Sequence, residues 1–203
     1  IHLALADYYK GINDNDNMFM EIKTAFENPD LDADTKVKIL SSYYELADVN
    51  QEYKRQANEL CDIALKVNAT SSDIHFLKAE FLLKDKKIKE ARDEYEQAIK
   101  LDKSSYSVWT QLLSTEAELG EHKLLEAHSF EAMELFPNQP LPYFFNGISN
   151  ATLKNYPKAI ESFNDGLEFV YNNNLLLIDF YSSLGEAYNS NKEYDKSDKA
   201  FDD

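Results

Sequence analysis

Ala159-Ile-Glu-Ser-Phe163-Asn-Asp-Gly166 repeats the pattern of Ala91-Arg-Asp-Glu-Tyr95-Glu-Gln-Ala98: a small residue, an aromatic four places on, and a second small residue three further. That last small residue has a wider rhythm, since Ala64, Ala98, Ala132 and Gly166 stand 34 residues apart. A fixed period of this size marks a stack of similar units, and the spacing of three and four within each octapeptide marks one face of a helix. A single unit of this length cannot bury its own apolar face. Stacking supplies the core and leaves an extended concave wall, so such a chain presents surface to others.

Composition agrees with that reading. Of 203 residues, 43% are hydrophobic and 13% aromatic, which is too apolar for a disordered chain. Five Gly and five Pro leave room for long helices joined by short turns. A formal net charge of −16 repels phosphate backbones, which argues against nucleic acid as a partner; it either keeps the array soluble or attracts basic peptides. The basic cluster Lys84, Lys86, Lys87 and Lys89 falls in an expected inter-helix turn and is too local to reverse that field. Cys61 is the one cysteine, so no internal disulfide forms, and its helical spacing from Ala57 and Ala64 reads as a small buried hydrophobe. The longest aliphatic run, Leu175–Ile178, is far shorter than a membrane span.

The units can be followed along the chain. Ala79 precedes the Ala91 octapeptide. Trp109-x-x-Leu112 is followed by Gly120, Ala132 and Pro137, and Tyr181-x-x-Leu184-Gly185-x-x-Tyr188 follows the Ala159 octapeptide. These residues resemble the tetratricopeptide repeat (TPR) family, whose signature is W-x-x-L-G-x-x-Y, then A-x-x-x-F, then P. The resemblance covers essentially the whole chain. It implies an all-α fold, a right-handed α-α superhelix (TPR solenoid) of about five and a half helix-turn-helix repeats. As a single array over 1–203 the approximate repeats are 1–32, 33–71, 72–105, 106–139, 140–177 and a truncated 178–203.

Two small slots recur, at Ala6, Ala79, Gly147 and Gly185 and at Ala57, Ala91 and Ala159. They are expected where paired helices cross closely, with Tyr143, Tyr156, Ile160 and Phe163 filling the space around one crossing. Ala25 to Ala64 is 39 residues, so about five extra residues sit between the first two units, with Asn28–Asp34 as the expected place. The second unit is degenerate. Its first helix fits best with Leu40, Tyr43, Tyr44 and Ala47 inward, one residue out of phase with its second helix, which puts Tyr44 in a small slot. A second insertion falls near Tyr171–Asn174. Neither end carries a polar capping helix, so the sequence reads as a segment of a longer protein, able to self-associate through uncapped ends.

No pattern of catalysis, cofactor or metal binding emerges. Asp14–Asn17 and Asp30–Asp34 resemble the start of a calcium loop, but the second has Thr35 and Ser41 where such a loop needs Gly and Glu, so both read as helix-capping turns. His2, His75, His122 and His128 lack the spacing of a zinc helix. His75 occupies a slot where the family often has Trp and reads as packing. Ser and Asp are plentiful, but no glycine-flanked nucleophile or phosphate-cradling loop accompanies them. Of two Asn-x-Thr sequons, at Asn68 and Asn150, the latter lies in an expected helix.

The resemblance also implies a working surface. In the family the first helix of each unit lines the inner wall, with four positions per unit facing a groove. Carried over, these are Lys38, Ser41, Glu45 and Asp48; Asp73, Phe76, Glu80 and Leu83; Ser107, Thr110, Ser114 and Ala117; Leu141, Phe144, Ile148 and Ala151; and Asp179, Ser182, Glu186 and Asn189. The candidate partner groove is therefore Phe76, Glu80, Leu83, Thr110, Ser114, Leu141, Phe144, Ile148, Ala151 and Glu186. Acids and small polar residues stand where one branch of the family uses Lys, Arg and Asn to clamp the C-terminal carboxylate of chaperone peptides. A chaperone adaptor is thus not expected. Apolar groove residues with an acidic rim point instead to a non-catalytic scaffold that takes a protein or peptide, basic or amphipathic, on its concave face, unless a neighbouring unit or further chain covers them. The alternative is a structural or regulatory arm of a larger envelope assembly or multidomain enzyme.

Overall fold

The computed structural model describes residues 1–48 and 50–202, so one residue each of the expected second and sixth repeats lies outside it. Among the described residues there are twelve helices and no strand. They are α1 (His2–Gly11), α2 (Asn15–Glu27), α3 (Ala33–Leu46), α4 (Gln51–Val67), α5 (Ser72–Lys84), α6 (Ile88–Leu101), α7 (Tyr106–Leu119), α8 (His122–Leu135), α9 (Pro140–Thr152), α10 (Tyr156–Leu167), α11 (Asn174–Ser190) and α12 (Tyr194–Asp202). The chain forms two compact units, Ile1–Asp102 with α1–α6 and Lys103–Asp203 with α7–α12.

Local chemistry sets the helix boundaries. Asp14 and Asp32 each accept a hydrogen bond from the backbone N–H three residues on, at 3.2 and 2.8 Å, so both acidic stretches are helix caps. Ser71 and Asn173 cap α5 and α11 in the same way, and Asn50 caps α4 by accepting from the N–H two residues on, that of Glu52. Pro140 and Pro157 open α9 and α10, where a missing N–H costs nothing.

The turn inside each helix pair is also repeated. Asn13, Lys86, Gly120, Lys154 and Lys192 all have φ between 58° and 69°. In each case the next N–H returns to the carbonyl five residues earlier, as in Lys87 to Leu82 and Asn155 to Asn150. This is the Schellman closure, and it requires the left-handed region, which only Gly adopts without strain.

The small slots lie inside. Ala57, Ala64, Ala79, Ala91, Ala98, Ala132 and Ala159 are fully buried. Three glycines are required by neighbouring rings: a Cβ on Gly147 would stand 2.4 Å from Phe163, one on Gly166 2.7 Å from Phe180, and one on Gly185 2.7 Å from Phe201. Cys61 is fully buried as expected, and burial pushes its thiol up to about 12.

Two expectations are corrected. The surplus between the first two units does not collect at Asn28–Asp34, where the α2–α3 connection is as short as 28–32. Most of it lengthens α4, which has 17 residues against 14 in α6. The inward set expected of α3 is present, but its buried members need no phase shift. Leu40, Tyr43 and Ala47 are buried, and each lies 34 residues before a buried residue of α5: Ile74, Leu77 and Phe81. Tyr44 is half-buried, too large for a close crossing, and its ring stands 5.4 Å from Phe81. The insertion near Tyr171–Asn174 is accommodated by α11, which at 17 residues is longer than the 13 of α9.

Candidate functional site

The candidate groove residues sit on odd-numbered helices, and each unit presents its own face. In the first unit Phe76, Glu80 and Leu83 are half-buried on α5. Glu80 is engaged within the fold. Its carboxylate accepts the hydroxyls of Tyr44, from α3, at 3.0 Å and of Tyr95, from α6. Burial, then the negative charge of Glu80, pushes Tyr44 up to about 12, and burial with the same carboxylate holds Tyr95 well above the usual phenol range. Lys84 Nζ lies 4.0 Å from the centroid of the Tyr44 ring and 2.5 Å from Asp48. Glu80 thus joins three helices, and its neighbour Phe76 has its ring 5.9 Å from Tyr95.

The same unit has a cleft that the groove positions did not reveal. About 380 Å³ opens between α1 and α3, walled by Leu3 and Ala6 on one side and Ile39, Tyr43 and Leu46 on the other, with Met18 and Ile22 of α2 below. Asp7, Lys10 and Lys38 are among its polar lining. Tyr43 is 5% exposed, its ring packs edge-on to Tyr53 at 5.6 Å, and its hydroxyl has no hydrogen-bond partner among the described residues. Burial pushes that phenol up to about 12. The signal was present in the sequence: subtracting 34 from Asp73, Phe76 and Glu80 gives Ile39, Ser42 and Leu46, all of which line the cleft. The assumed phase shift selected Lys38, Ser41 and Glu45 instead, of which only Lys38 lines it.

In the second unit, Ile148, Ala151 and Glu186 come together. With Ser183 and the ring of Phe163 they line a cleft of about 260 Å³ between α9 and α11. Thr110 and Leu141 are half-buried and Ser114 is exposed; none of the three lines this cleft. Thr110 spends its hydroxyl on its own helix, donating to Ser107 O at 2.9 Å. Phe144 is half-buried, with its ring 5.1 Å from Phe180 and 6.1 Å from Phe163, so it belongs partly to the core beneath.

Histidines serve the fold. His75 Nδ1 lies 2.6 Å from Glu94 and Nε2 3.2 Å from Ala69 O. Both partners are acceptors, so the two contacts favour the protonated ring. Glu94 accordingly holds His75 above its ordinary value. His75 is thus more than packing. It is one of a series: Trp109 Nε1 donates to Lys103 O and the Tyr143 hydroxyl to Pro137 O, both at 3.0 Å and both, like His75 to Ala69, six residues back. His128 pairs with the fully buried Glu116 at 2.6 Å. Among the described residues no cluster of three or more His, Cys, Asp or Glu could hold a metal, and no helix is long and apolar enough to cross a membrane.

Comparison with known proteins follows this geometry. Residues 72–105 match the tetratricopeptide repeat family model. No curated protein matches the chain in sequence. Among solved structures the chain is similar to MamA at 17% identity, with 82% of this chain and 88% of that one covered and a TM-score of 0.69. It is similar to YrrB, described as a TPR protein with an unusual peptide-binding site, at 21% identity, 84% and 86% coverage and a TM-score of 0.69. PilF of Pseudomonas aeruginosa follows at 19% identity, 83% and 73% coverage and a TM-score of 0.61. At these identities the likeness is one of fold.

Proposed function

Starting from a chain that carries a tetratricopeptide repeat and has the all-α solenoid fold of such proteins, we propose that it is a non-catalytic scaffold. Its odd-numbered helices receive apolar side chains of a peptide or amphipathic helix. One observation carries this: the odd-helix face of each unit holds a cleft lined with apolar side chains, about 380 Å³ between α1 and α3 and about 260 Å³ between α9 and α11. Each can take a small group of apolar side chains. That is how an amphipathic helix is read, by anchors three and four residues apart. The rim of the α9–α11 cleft holds Glu186, which suits a partner with a basic residue beside its apolar stripe, while that of the α1–α3 cleft is mixed, with Asp7, Lys10 and Lys38. The description of YrrB as having a peptide-binding site lends the reading an analogy. Within it, Phe76, Glu80, Leu83, Thr110, Ser114, Leu141 and Phe144 border or support the receiving face.

The test uses Leu46, which is 41% exposed, and Ile148 at the second cleft. Leu46→Lys and Ile148→Lys are expected to abolish capture of amphipathic peptides from a displayed library while far-UV circular dichroism and melting temperature stay near the parent's. Retained capture in the double variant would refute the reading.

A further inference from the structure

The even-helix side of the second unit departs from its own repeat. Position 146 holds Asn, whereas the matching slots hold Leu112 and Leu184, buried in the core. Asn146 is buried too, and a polar cluster has formed around it. Its Nδ2 donates to Ser129 Oγ at 3.0 Å, and its Oδ1 accepts from Ser162 Oγ at 2.8 Å and from Asn150 Nδ2 at 3.0 Å. Asn150 Nδ2 also donates to Asn146 O at 3.0 Å. Two oxygens around this nitrogen fix the amide's orientation. Among the described residues Asn150 Oδ1 is then left without a donor, on a side chain that is 1% exposed. An orphaned buried acceptor is unfavourable and rare in native proteins, so its retention calls for a reason.

That cluster forms the floor of a cavity. Asn146, Asn150 and Ser162 line about 510 Å³ between α8 and α10, within the range of ligand pockets. Its walls carry Glu126, Glu161 and Asp165 against a single cation, Lys158, which stands 4.0 Å from Glu126. Among the described residues neither Glu161 nor Asp165 is paired with a cation. The remaining wall is apolar, with Met133 and a Phe130 that is 57% exposed. The surroundings reinforce the sign, since residues 103–203 hold seven Lys and no Arg against sixteen Asp and Glu.

We infer that this cavity is a second docking site, separate from the odd-helix clefts, for a basic peptide segment that places a Lys or Arg side chain between α8 and α10 and an adjacent apolar residue against Phe130. The carboxylates of Glu126, Glu161 and Asp165 complement a cation that brings several N–H donors, and arginine or lysine offers nothing but donors. The exposed ring of Phe130 gives the neighbouring residue an apolar contact and can also take a cation over its face.

The test is fluorescence anisotropy of the 203-residue chain with a short labelled peptide having an Arg-Leu-Arg core. The expected result is saturation at one peptide per chain, weakening with salt. Glu161→Gln with Asp165→Asn is expected to lower affinity about tenfold or more, and Phe130→Ser several-fold, both with unchanged melting temperature because all three residues are exposed. A control with the same change in charge away from the cavity, Glu118→Gln with Glu134→Gln, is expected to bind as the parent does. Equal weakening by both double variants would mean that only the bulk field is at work. Undiminished binding after Glu161→Gln with Asp165→Asn, or spermine binding as tightly as the peptide regardless of Phe130, would equally overturn the site.

Discussion

The two units solve one packing problem with different chemistry. In Ile1–Asp102 the helices are tied by lysines reaching across: Lys23 to Glu59, Lys54 to Asp85 at 2.5 Å, Lys78 to Asp62 at 2.9 Å and Lys84 to Asp48. Lys36 is fully buried, donates to Asn68 Oδ1 at 2.6 Å, and is held below the usual amine range by burial. In Lys103–Asp203, by contrast, rings seat against missing side chains, with four of the chain's five glycines and the pairs Gly147–Phe163, Gly166–Phe180 and Gly185–Phe201. Partly exposed ion pairs contribute little each and select register more than they stabilise. A buried ring against a glycine, as Phe163 or Phe180, must shift to admit a larger residue. The first unit should therefore yield gradually to substitution, and the second abruptly.

Gly147→Ala is the strongest way to break this contrast. Its new Cβ would meet the Phe163 ring, and about 3 kcal/mol of stability is expected to be lost, read by urea unfolding. Phe163→Leu in the same chain should restore part of it. If Gly147→Ala proved neutral, the nesting would not govern the second unit. In the first unit, Glu80→Gln removes the charge that accepts two tyrosine hydroxyls, and a loss of about 1–2 kcal/mol is expected by the same measurement. A smaller effect tests the shared turn. Lys154→Gly should stabilise by about 0.5 kcal/mol by relieving a left-handed φ of 64°, and Gly120→Ala should do the reverse.

The mildest contrast is one of pH. His75 and Trp109 hold the same slot, but only His75 titrates. Its value is raised in the folded chain, so its contribution is fully present below the ordinary histidine value and is lost as pH rises through the raised one. Melting curves across that window should drift downward for the parent. His75→Trp should remove that drift, and an unchanged drift would show that the Glu94 partnership is not its source.

Much of this was legible in the chain. The 34-residue recurrence of small residues places Ala98 and Ala132 in the interior without coordinates, because a crossing that close excludes anything larger. The helix faces of the candidate groove residues were legible. Ile148, Ala151 and Glu186 do share a cleft. Glu80 and Phe144 were misjudged in character, since spacing gives the face of a helix and says nothing of what crosses it from the next one. The α1–α3 cleft was missed because Tyr44 suggested a phase shift that the buried Leu40, Tyr43 and Ala47 do not have.

Sequence alone thus determined the helical pairs, their period and the slots that must stay small, since these follow from residue size and helical geometry. Tertiary structure alone decided which polar groups would meet. His75, Trp109 and Tyr143 look unrelated until each is seen donating to the carbonyl six residues back. Asn146 looks like a lapse in a leucine slot until its partners on α8 and α10 are in view. Hydrogen bonds depend on distances of a few tenths of an ångström and on direction, and only the folded backbone fixes those.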